Sequence, residues 1–118
     1  EWLPLDANGA RVARAHHCGG VVGERLLIFS GQDANLLTVH TICSIHLRTG
    51  LCEEAALPAD GPAARIDAAA ACVGGVGLLI FGGVGSAFEH VDPADMWLVC
   101  APTADADDAH FFAAAAAG

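Results

Sequence analysis

The amino-acid sequence predicts an all-β protein in which one four-stranded antiparallel meander is laid down twice. Three observations lead there. The hexapeptide Leu26-Leu27-Ile28-Phe29-Ser30-Gly31 returns as Leu78-Leu79-Ile80-Phe81-Gly82-Gly83, 52 residues later, and self-similarity at a fixed period near fifty marks a repeat architecture. Short apolar runs recur at roughly 8- to 12-residue intervals with glycine, proline and polar clusters between them, the spacing of an all-β chain. No stretch shows the 3.6-residue apolar period of an amphipathic helix.

In the complete unit, strand a spans about Arg14 to Val22 and strand b Arg25 to Phe29, joined by the tight turn Gly23-Glu24 with glycine first. Strand c covers about Val39 to Leu47 and strand d Cys52 to Leu57, closed by Arg48-Thr49-Gly50, where glycine accepts positive φ. Residues 57 to 64 hold Pro58, Gly61 and Pro62 and read as the connection to the next unit. In that unit Ala68 to Val73 matches strand a and Leu78 to Phe81 matches strand b. Asp95-Met96-Trp97-Leu98-Val99-Cys100 aligns with Thr41-Ile42-Cys43-Ser44-Ile45-His46 at an offset of 54. Trp2 stands 50 residues ahead of Cys52. Residues 1–13 therefore read as the last strand of a preceding unit plus linker, 14–58 as one unit, and 59–104 as a second through its third strand. Residues 105–118 read as an acidic, alanine-rich tail or the start of another segment.

An arginine, a small-residue strand, an apolar strand ending in diglycine and a tryptophan in a later strand together resemble the kelch repeat. The residues that carry the resemblance are Arg14, His17, Phe29, Gly31, Arg65, Phe81, Gly82, Gly83, Trp97 and Trp2. It covers the chain from Trp2 to about Thr103, with Ser30 in place of the first glycine and Cys43 where the second unit has Trp97. It implies β-propeller blades, about two of an incomplete propeller. Closure takes four to eight blades, at least ~200 residues, and this chain has 118. The expectation is a segment of a longer polypeptide, or one completed by another chain.

Hydrophobic residues make up 54% and charged residues 16%, below the usual quarter, so other protein is expected to cover part of the surface. Net charge is −9, with no lysine, which supplies no basic footprint for nucleic acid or anionic lipid. Residues 68–88 carry no charge, but the glycines within them and the charged Glu24-Arg25 of the matching stretch argue against a membrane span. The five cysteines, with no CxxC pair, read as free core thiols of a reducing, intracellular compartment. A redox role would need a thiolate activated by positive charge, and only Arg48, near Cys52, is close in sequence. His16 and His17 point to opposite faces of a strand and form no metal site. Gly82-Gly83-Val84-Gly85 lacks the lysine and helix of a phosphate loop. Asp92 and Asp95 read as turn residues. No catalytic, cofactor or metal residue is expected.

The meander puts short a–b and c–d turns at one end and long b–c and d–a loops at the other. Long loops on a rigid scaffold are where recognition sits, so Asp33, Asn35, Glu89 and His90 are the candidate protein contacts. The expected role is a non-catalytic interaction or scaffold module with protein partners, either the rest of the propeller or neighbouring subunits. The resemblance also admits two alternatives: part of a kelch-type enzyme, such as an oxidase or a mutarotase, or a substrate-recruiting adaptor of a ubiquitin ligase. The absence of tyrosine removes the radical-copper route of such oxidases from these residues.

Overall fold

In a computed structural model, which describes residues 2, 8–9, 13–92, 94–100 and 113–116, the two repeated segments fall in two separate β-sheets. The first sheet comprises β2 (Cys18–Val22), β3 (Arg25–Phe29), β4 (Thr41–His46) and β5 (Leu51–Ala56), a consecutive antiparallel meander. Its boundaries follow the sequence reading closely, except that strand a begins at Cys18. Positive φ at His16 (55°) breaks the extended run that starts at Arg14. β1 (Asn8–Gly9) runs parallel along β5 as a short extra strand. Trp2, expected in a strand of a preceding unit, is exposed and belongs to no strand.

The second sheet contains β7 (Ala69–Val73), β8 (Gly77–Phe81), β10 (Trp97–Cys100) and β11 (Ala113–Ala116), in the order β11-β10-β8-β7. The alanine run assigned to the tail thus forms an outer strand paired with β10, Cys100 opposite Ala113. The acidic residues Asp105, Asp107 and Asp108 lie outside the described residues. A third, two-stranded sheet pairs β6 (Arg65–Ile66) with β9 (Val84–Gly85). No helix occurs among the described residues, and none is long and apolar enough to cross a membrane.

The sheets pack on one another with inequivalent faces, so the contact is head to tail. Side chains alternate along a strand. In the first sheet Leu27, Phe29, Val22 and Ile42 face inward, where they join Leu78, Ile80 and Val99 of the second sheet in one buried cluster. By the 52-residue alignment, Leu78 and Ile80 correspond to Leu26 and Ile28. Those two lie on the opposite face of the first sheet, beside Cys43, Ile45 and Cys52. Gly20 of β2 lets the sheets meet here, since a Cβ at this position would stand 2.5 Å from Cys72 Sγ and 3.0 Å from Leu78 Cδ1.

Candidate interaction surfaces

Two arginines, one in each unit, knit equivalent corners in the same way. Arg14 donates to Ser30 O (2.9 Å) and to Thr41 Oγ1 (3.2 Å), and Arg65 donates to Gly82 O (3.3 Å) and to Asp95 Oδ2 (3.0 Å). Ser30 and Gly82 are the aligned residues after strand b; Thr41 and Asp95 are the aligned residues near the start of strand c. Both guanidinium groups are buried. Each is met by a carboxylate, Glu54 at 3.3 Å or Asp95 at 3.0 Å, as a buried cation requires. Asp95 Oδ1 also accepts from Trp97 Nε1 at 2.7 Å, which joins two repeat-signature residues through one carboxylate.

The corners also join the sheets. Ser30 Oγ accepts from the Arg65 amide (2.8 Å) and donates to Val39 O (2.8 Å), and the Gly31 amide donates to Arg65 O (3.1 Å). Ser30 holds φ at 54°, a left-handed conformation that glycine holds at Gly82 (73°). Its two hydroxyl bonds offset the strain a side chain incurs there. Gly31 is tightly bounded, with a Cβ meeting Ala15 O at 2.7 Å and His17 Cβ at 2.9 Å, so His17 packs within its own unit. His16 and Asp67, an aligned pair at φ 55° and 56°, touch across the junction with Nδ1 and Oδ1 2.9 Å apart.

The b–c loops are ordered hairpins rather than irregular loops. In the first, Val39 N donates to Gly31 O, Asp33 N to Leu37 O, and Leu36 N to Asp33 O. In the second, Val91 N donates to Gly83 O, Gly85 N to Glu89 O, and Phe88 N to Gly85 O. Each bond in one has its counterpart 52 residues away, and Leu36 (φ 64°) and Phe88 (φ 62°) occupy equivalent left-handed positions. Asp33 Oδ1 accepts from the amides of Asn35 (2.8 Å) and Leu37 (3.0 Å), which fixes the tip.

Of the candidate contacts, Asp33 and Asn35 line a shallow groove of about 320 Å³ with Ala13, Arg14, Ala34, Val39 and Glu54. Glu89 and His90 lie on the other hairpin, both exposed, with His90 bridging to Val84. The apolar tips Leu36, Leu37 and Phe88 are exposed beside them. The sequence reading passed over these tips because a loop leucine or phenylalanine looks like core until its backbone conformation is known.

None of the five cysteines is in a disulfide. Burial pushes the Cys43 thiol up to about 12 and the Cys18 thiol to about 11, which works against thiolate chemistry. The arginine beside a thiol is Arg14, 3.0 Å from Cys43 Sγ, whereas Arg48 binds Glu24 at 2.7 Å. Asp92 caps a turn, its Oδ1 accepting from Ala94 N at 2.9 Å. Among the described residues no cluster of three or more histidine, cysteine or acidic side chains is arranged to hold a metal ion. No protein-family model matches the chain, and a search of curated proteins finds no match.

Proposed function

We infer that the chain is a non-catalytic protein-interaction or scaffold module, two blade-like sheets of a kelch-like propeller segment within a larger protein or assembly. One observation carries this reading: the outer face of the second sheet is an open copy of a face that is closed in the first. Phe29 is 1% exposed and its counterpart Phe81 is 37% exposed; Val22 is 2% exposed and its counterpart Val73 is 41% exposed. Cross-strand register puts Ala69 opposite Phe81, and Ala71 and Leu98 opposite Leu79, so this face is apolar throughout. A repeat unit cannot bury such a face alone, and stacking a neighbour onto it continues the core. The repeated arginine corners and hairpins support the same reading, since equivalent sheets already stack head to tail once.

The test is a lengthened chain that carries a further copy of the second unit after residue 116. The reading expects the added unit to fold and the chain to unfold at a higher urea concentration than the parent, with Phe81 and Val73 of the original second unit becoming covered as Phe29 and Val22 are, while the added unit's own outer face stays open. A lengthened chain that unfolds at the parent's urea concentration, with the added unit unfolded, would overturn it.

A further inference from the structure

The loop end of the molecule carries a second surface, distinct from the open sheet face. Its centre is a pair of apolar tips. Leu36 is 71% exposed and Phe88 is 76% exposed, and the matched hydrogen bonds of their hairpins hold both side chains at equivalent positions in adjacent sheets. Leu37 extends the first tip. A bulky side chain at positive φ carries a conformational cost, and here the cost presents an apolar group to water at two equivalent places. Packed sheets lie about 10 Å apart, and equivalent tips on two such sheets are expected at about that spacing, close to two turns of an α-helix at about 5.4 Å each.

Charge defines what fits between and around them. The same end carries Asp33, Asp60, Asp67, Glu89, Asp92 and Asp95. Among the described residues its arginines are Arg14 and Arg65, both buried and bound to carboxylates. Arg25 and Arg48 stand at the far end, at the start of β3 and in the c–d turn. The tips are therefore apolar points in an anionic field, which attracts cationic partners and repels anionic ones.

We propose that this loop end docks a basic amphipathic helical segment of a partner protein, with two apolar side chains about two turns apart on Leu36/Leu37 and Phe88 and its lysines or arginines against the surrounding carboxylates. Helix-on-apolar-anchor recognition reads the partner as apolar positions at i and i+7.

The test uses the whole chain and two labelled helical peptides, one of leucine and lysine with leucines two turns apart, the other with glutamate in place of lysine. Fluorescence anisotropy at low ionic strength is the readout. The lysine peptide is expected to bind and to weaken as salt rises, while the glutamate peptide does not bind. The double variant Leu36→Asn/Phe88→Asn keeps the charge and the backbone, because asparagine adopts left-handed φ readily, and is expected to bind the lysine peptide at least ~10-fold more weakly. Leu47→Asn, at the opposite end, is expected to bind as the parent does. The proposal is overturned if the double variant binds as tightly as the parent, if both peptides bind alike, or if the lysine peptide does not bind. Each of these results leaves the reading of the open sheet face untouched.

Discussion

Truncating two aligned phenylalanines, Phe29→Ala and Phe81→Ala, separates a closed sheet face from an open one with the same chemical change. Phe29 is 1% exposed in the cluster between the sheets, so its loss removes a full transfer contribution and leaves a cavity. Buried Phe→Ala changes cost about 3–5 kcal/mol. Phe81 is 37% exposed and among the described residues no sheet packs over it, so water fills the space and the cavity contribution disappears. About two-thirds of a ~1.5–3 kcal/mol transfer contribution remains, a cost of about 1–2 kcal/mol. The difference is about 2 kcal/mol, or roughly a 30-fold ratio of folding constants. Urea unfolding of the two variants, compared at unchanged m-value, measures it. Equal losses, or a larger loss at Phe81, would refute the claim that the first face is covered by the second sheet and that no sheet among the described residues covers the second.

Three further outcomes follow from the corners and the thiols. Arg65→Ala removes a buried fork bound to Asp95, Gly82 O and Ala63 O and is expected to cost about 2–3 kcal/mol in urea unfolding, below the full penalty of a broken buried pair because Asp95 reaches water; a loss under about 0.5 kcal/mol would contradict the corner geometry. Ser30→Gly keeps the left-handed backbone but loses two hydrogen bonds, so a cost of about 1 kcal/mol is expected, with Ser30→Ala costlier by a further ~1 kcal/mol of strain; a Ser30→Ala variant more stable than Ser30→Gly would contradict it. The Cys43 thiol is raised from 9.0 to about 12 and that of Cys18 to about 11. A thiol held protonated by the fold stabilises fully below pH 9, and this contribution is lost as pH rises through the folded value. The chain has no lysine or tyrosine to titrate in that window, so stability is expected to be level to pH 9 and to fall toward pH 12, less steeply in Cys43→Ala; an identical fall in that variant would contradict the assignment.

The strands were legible because period and punctuation agree. Arg25–Phe29 was readable to the residue, since Gly23-Glu24 opens it and Ser30-Gly31 ends it. The alignment of Thr41 with Asp95 was also visible, but not that both face a buried arginine. That contact joins residues 27 and 30 positions apart and follows from each unit folding back on its own arginine, which no local pattern encodes. Ala113–Ala116 was missed because alanine is a weak strand former, and its pairing is set by the exposed edge of β10 rather than by propensity. The hairpin tips were missed for a related reason: Leu36 and Phe88 take a conformation that bulky side chains seldom adopt, imposed by the hydrogen bonds around them.

Which faces meet is the question on which the account stands, and methyl and ring nuclear Overhauser contacts in the folded chain answer it directly. The account predicts contacts linking Leu27 and Phe29 to Leu78, Ile80 and Val99, with none linking Leu27 or Phe29 to Leu79 or Phe81. Contacts joining Leu26 or Ile28 to the second sheet, or Leu79 and Phe81 to the first, would contradict the head-to-tail stacking.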